Sequence, residues 1–220
     1  MEKIIGLLIS PVIFLLLFLY LRFKYPNGDF RLFFRAFIYG ILLFIPVILA
    51  EFLARYLNID GGRSLRRIVV YSFVFVAFVH EAGKFLLLHF SIMRSKLFKG
   101  TTDGIIYTAA IGLGLSTLYS PFIVFYGDQN CCLGLYGITF GFMTVMLAVI
   151  LGFFTGMGKV RNNRFIDSMT GLFAATFFHG IYRFTLQGND MFFFAVFMGG
   201  TLLISFILMG RSLMIKSGSE

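Results

Sequence analysis

Long runs of apolar residues, interrupted by short polar loops, fill this chain from end to end. Seven runs can be delimited: Ile4–Arg22, Phe33–Tyr56, Arg67–Phe90, Asp103–Tyr126, Leu133–Met157, Phe165–Leu186 and Met191–Met209. Each has roughly the twenty residues that a helix needs to cross a hydrocarbon core. A transmembrane barrel would show short segments of alternating polarity, whereas these runs are long and continuous. The pattern predicts an all-α, polytopic membrane helix bundle of about seven transmembrane helices. It forms one integral-membrane domain over residues 1–220. The first run is too long for the core of a signal peptide and lacks a small-residue cleavage site, so it is expected to be a span. Small residues recur at four-residue spacing in Gly100/Gly104, Ala110/Gly114, Gly137/Gly141 and Gly152/Gly156. Such pairs let helices approach closely, so the bundle is expected to be tight.

Composition agrees with this reading. The chain is 59% hydrophobic and only 13% charged, and a soluble domain of this size could not cover so much apolar surface. A net charge of +9 would suggest nucleic acid for a soluble protein. Here the basic residues sit in short loops, as membrane topology demands, so the expected partner is the lipid bilayer and no nucleic acid. Arg22, Lys24, Arg31 and Arg35 mark the first loop, Arg94, Lys96 and Lys99 the third, and Lys159, Arg161 and Arg164 the fifth. Arg211 and Lys216 lie in the tail. The other side carries Lys3, Arg55, Arg63, Arg66 and Arg67, and the fourth loop, Gly127 to Cys131, has no basic residue. The majority side is expected to be cytoplasmic, with the N-terminus outside and the C-terminus inside. Cys131 and Cys132 are adjacent and have no metal-binding spacing, so they read as small apolar residues at a helix start. Nothing in the sequence fixes an oligomeric state.

The polar residues inside the apolar runs carry the candidate chemistry. A charged side chain near the bilayer centre costs about 2.5–3.5 kcal/mol on insertion scales, so a chain that keeps one either uses it or pairs it. Glu81 is such a residue, and Lys84 lies on the same helix face. Glu51, one turn before Arg55, reads as half of a local pair near the outer interface. His89 reads as reaching for headgroups. His179 stands in the sixth run, followed by Arg183, which is expected to snorkel or to pair with an acid. A Glu and a His on different spans are the minimum of a hydrolytic metal site, because zinc takes imidazole and carboxylate ligands. Spacing alone fits a buried Glu81–Lys84 pair with a hydrogen-bonded His179 equally well.

The stretch Asp103-Gly104-Ile105-Ile106-Tyr107-Thr108-Ala109-Ala110-Ile111-Gly112-Leu113-Gly114 resembles the second motif of the PrsW-type intramembrane metalloprotease family. His80-Glu81-Ala82-Gly83-Lys84 resembles its first motif, and His179-Gly180-Ile181-Tyr182-Arg183-Phe184 its last. The resemblance covers Phe73 to Phe184. It implies Glu81 and His179 as catalytic and metal-binding groups, Lys84 as the partner of the carboxylate, zinc as cofactor and a membrane-protein substrate. It also implies the plasma membrane of a bacterium. His80 stands where the first motif has an acid. Tyr119 and Ser120 replace a Glu-Asn pair, Thr144 replaces a His, and Arg183 replaces an Asp. His80 could serve as a substitute ligand, but neighbouring helical residues point about 100° apart. Counted along the helices, Glu81 and His179 are expected several ångströms apart in depth. These departures predict a degenerate, non-catalytic family member that binds or scaffolds membrane proteins, with zinc optional. The seven-span, non-catalytic scaffold of the gamma-secretase complex is a similar case. An active zinc protease is the alternative. A small proton-coupled transporter is a further one, though no inverted repeat is evident.

Overall fold

Backbone amides in a bilayer must be satisfied within their own segment, and apolar runs of this length therefore fold as helices. A computed structural model of the chain describes residues 2–26, 28, 30–59, 64–126, 131–161, 163–188 and 190–217, without the side chains of 2–5, 131–134, 136, 216 and 217. The fourth loop from Gly127 to Asn130, Arg63, and the side chains of Lys3, Cys131, Cys132 and Lys216 lie outside that description. Among the described residues there is no strand. The helices are α1 (Glu2–Lys24), α2 (Arg31–Tyr56), α3 (Leu65–Ile92), α4 (Thr101–Tyr126), α5 (Cys131–Val160), α6 (Arg164–Gln187) and α7 (Met191–Ser217). Each predicted run thus becomes one helix, with ends displaced by a few residues.

Six of these helices are long and apolar enough to cross a membrane. The remaining one, α6, is long enough at about 36 Å but more polar, because it carries Asp167, Ser168, His179 and Arg183. It nevertheless runs the depth of the bundle. Its first residue adjoins the basic loop after α5, and Gln187 at its far end accepts a hydrogen bond from Ser72 of α3.

Two helices, α4 and α5, form the centre. They pack on each other most extensively, with α1 and α2 against α4 and with α6 against α5 and α3. The outermost helix is α7, with most of its side chains facing outward. The predicted small-residue pairs explain the central crossing. A Cβ on Gly104 would stand 2.2 Å from the carbonyl oxygen of Gly152, and one on Gly152 would stand 2.4 Å from that of Gly104. The backbones touch there, leaving no space for a side chain. Ile105, Val149, Phe153 and Met157 cluster beside this crossing, and a larger core includes Phe33, Ile111, Leu115, Tyr119, Phe140 and Met143.

The loops sort onto two faces. Lys159 donates to the carbonyls of Met93 and Phe98 at 3.0 and 2.8 Å, so the third and fifth loops share one face. The first loop joins them, since Tyr25 and Phe30 line one cavity with Lys99 and Tyr107. Ser212 near the end of α7 donates to Thr101 at 3.1 Å. The end of α1 and the end of α7 therefore lie on the same, basic face.

Candidate active site

Five helices deliver polar side chains to one buried pocket inside the bundle. α3 supplies His80, Glu81 and Lys84, and all three are fully buried. This part of α3 is α-helical over Val79–Leu87 but is flanked by π-helical stretches, Tyr71–Phe78 and Leu88–Ile92. Wide turns of that kind recur at functional sites, because they shift the faces that side chains present. The bundle surrounds α3 here, so His80 and Glu81 reach the same pocket although they diverge around the helix axis.

Glu81 is the hub. Its Oε1 lies 2.6 Å from Lys84 Nζ and 2.8 Å from His179 Nδ1. The expected mismatch in depth between Glu81 and His179 is therefore absent. Gly180 supplies part of the reason: a Cβ there would stand 2.4 Å from the ring of Phe73, so α6 lies directly against α3. The unequal ends and the wide turns of α3 also defeat a count of residues from the interface. His80 joins the group, with its ring centroid 5.1 Å from that of His179. The ring of Tyr119 on α4 lies 4.7 Å from it and that of Phe140 on α5 lies 5.5 Å away.

Glu51 does more than its sequence reading implies. Arg55 lines one crevice with it and acts on its charge, but the carboxylate is buried and also accepts a hydrogen bond from the Tyr119 hydroxyl. Its Oε1 lies 3.9 Å from His80 Nε2. The charges of Arg183 and Arg55 both act on this carboxylate. Arg183 is itself buried, with its guanidinium 5.6 Å from the ring centre of Tyr71. It therefore stays inside the bundle, where its charge acts on Glu51. Residue spacing hid Glu51 because Arg55 offered a nearer partner. Its presence in an apolar run was the one signal available. Tyr119 read only as a replacement, and its role as holder of Glu51 depends on the crossing of α2 and α4.

Several ligand-capable atoms in the pocket are buried without a hydrogen-bond partner: both ring nitrogens of His80, Nε2 of His179, Oε2 of Glu81 and the hydroxyl of Thr144. Buried polar atoms are satisfied in the great majority of folded structures, so a cluster of orphans calls for an explanation such as a bound ion, water or a catalytic task. Two imidazoles and two carboxylates are the donor types that zinc takes, so the chemistry of the set fits a metal. Among the described residues, no group of three His, Cys, Asp or Glu side chains is gathered closely enough to hold an ion as it stands. Lys84 and His179 already occupy Glu81 Oε1, so the site offers donors rather than a finished cage.

The fold and site define the class: an all-helical, polytopic membrane bundle with histidines and carboxylates buried between its helices. Comparison with known proteins makes this specific. Residues 28–210 match the family described as PrsW family intramembrane metalloprotease, and the chain belongs to that family. Protease PrsW of Bacillus subtilis (strain 168) is 27% identical over 204 residues, which cover 90% of each chain. Protease PrsW of Clostridioides difficile (strain 630) is 29% identical over 161 residues, covering 70% of this chain and 66% of that protein. Protease PrsW of Geobacillus kaustophilus (strain HTA426) is 23% identical over 193 residues, 86% of this chain and 82% of the relative. No solved structure matches significantly.

Proposed function

We propose that this chain is an intramembrane zinc peptidase acting on membrane-protein substrates, with its site at Glu81, His179 and His80. One observation carries the reading: the pocket concentrates orphaned donors. A purely structural Glu81–Lys84 pair would not need both nitrogens of His80, His179 Nε2 and Glu81 Oε2 buried beside it without partners. Zinc, when bound, would supply an activated water and polarise a peptide carbonyl. His179 Nε2, His80 and Glu81 Oε2 are the atoms available to hold it. Lys84 Nζ, 2.6 Å from Glu81 Oε1, holds the carboxylate in place. Tyr119, Phe140 and Tyr182 wall the pocket with aromatic rings, which restrict water. In this reading α6 is the seventh crossing, and the basic face is cytoplasmic in a bacterial plasma membrane.

A non-catalytic, scaffolding reading has its own observation. Tyr119, Thr144 and Arg183 stand where the family resemblance implies metal-binding or acidic groups, and no three donors converge. Metal analysis of the purified protein decides between them. The expected result is bound zinc, lost in His179→Ala and reduced in Glu81→Gln, together with cleavage of a labelled transmembrane peptide that stops in both variants. Absence of zinc from a folded wild-type chain would sink the peptidase reading and leave the scaffold. Ion flux in proteoliposomes that Glu81→Gln abolishes would instead favour a transporter.

A further inference from the structure

The geometry points to Glu51 and His80 as a second carboxylate–imidazole pair beside Glu81 and His179, with Glu51 as the residue that positions His80. It deepens the peptidase reading and rests on it where zinc is concerned. Its structural part can be tested without metal.

The first pair sets the pattern. An ionised carboxylate only accepts hydrogen bonds, so the 2.8 Å contact of Glu81 Oε1 puts the proton of His179 on Nδ1. Nε2 then keeps its lone pair, and that nitrogen is buried and unpartnered. Carboxylates behind metal-binding histidines commonly hold the ring in this way and set its tautomer.

Glu51 stands to His80 as Glu81 stands to His179. It reaches the pocket from a different helix, α2, and its Oε1 faces His80 Nε2 at 3.9 Å. That exceeds a hydrogen bond, so the pairing requires the Glu51 side chain to rotate toward the ring. Catalytic hydrogen bonds in unliganded sites are often long in this manner. Tyr119 donates to the same oxygen and so holds the carboxylate on the His80 side. Glu51 thereby places the His80 proton on Nε2 and leaves the lone pair on Nδ1, which is also buried without a partner. The two rings lie 5.1 Å apart at 73°. The pocket thus holds two imidazoles, each backed by its own carboxylate. An acid on α2 serves a site whose α4 position is filled by Tyr119.

The chain has three histidines, which makes the test direct. Selective 15N-histidine labelling of the full chain in lipid nanodiscs, assigned with His89→Gln and His179→Gln, reads each ring's tautomer. The expected result is His80 protonated on Nε2 in the wild type. In Glu51→Ala, His80 should move toward a mixture of tautomers while His179 stays unchanged. Tyr119→Phe keeps the carboxylate but frees it, so it should move His80 by a smaller amount, and it carries the test if Glu51→Ala does not fold. A His80 signal unchanged in a folded variant overturns the pairing. Zinc titration adds a second readout, in which loss of Glu51 weakens affinity by roughly 10–100-fold, as for other carboxylates behind metal-binding histidines. A wild type that shows the tautomer but binds no zinc would defeat the peptidase reading and leave the pair standing. A wild type that binds zinc with equal affinity in Glu51→Ala would defeat the positioning role alone.

Discussion

Glu81 and Lys84 are both fully buried and 2.6 Å apart, and this closeness makes each hostage to the other. Two charges taken out of water are tolerable only together, and removing one partner of a buried pair typically costs about 3–5 kcal/mol. Glu81→Gln is therefore expected to lower stability more than the double change Glu81→Gln with Lys84→Met, which removes both charges. Unfolding of the detergent-solubilised protein in a denaturing detergent series measures the difference. A double variant less stable than Glu81→Gln would show that the pair does not constrain the core. The same pair also bears on legibility. Lys84 three positions after Glu81 could be read from the sequence, because helical spacing alone brings them together. His179, ninety-eight positions away, could be named as a candidate, but its contact with Glu81 could not be derived by counting residues.

Helices here are held by backbone contact as much as by side chains. Gly104 and Gly152 let α4 and α5 touch, and a side chain at Gly104 would collide with backbone rather than with a side chain that could move. Gly104→Leu is expected to abolish the folded protein, seen as loss of a single peak in size-exclusion chromatography and of cooperative thermal unfolding. Gly199 on α7 is the control, with nothing within 4 Å of an added Cβ. Gly199→Leu should leave stability unchanged or raise it slightly, by no more than the roughly 1 kcal/mol that a helix gains on replacing glycine. The four-residue spacing announced a close crossing. The partner of each small pair was decided by the way α4 threads between α2 and α5. Gly114, for example, rests on the backbone of Phe37 in α2.

The whole molecule has a basic face and an opposite face. The third and fifth loops meet on the basic side through Lys159, and the ends of α1 and α7 join them. The start of α1 therefore lies on the face opposite the end of α7. Positive loops stay in the cytoplasm, so the basic face is expected there. Accessibility to a membrane-impermeant maleimide on intact cells checks this, in a background with Cys131 and Cys132 replaced by serine. Lys96→Cys should be protected and Arg66→Cys labelled. The reverse pattern would invert the orientation while leaving the fold untouched.

By itself the sequence determined the class, the helices and the family. Apolar runs of span length can fold in only one way in a bilayer, and local motifs survive divergence. It also marked His80, Glu81, Lys84 and His179, because polar groups in apolar runs are costly and therefore conspicuous. Tertiary structure decided how they combine. It added the Tyr119 hydroxyl to the partners of Glu51, brought His80 beside His179, and removed the apparent difference in depth between α3 and α6. Each of these depends on helix crossings and wide turns, which are fixed by packing between segments distant in the chain and have no local signature to read.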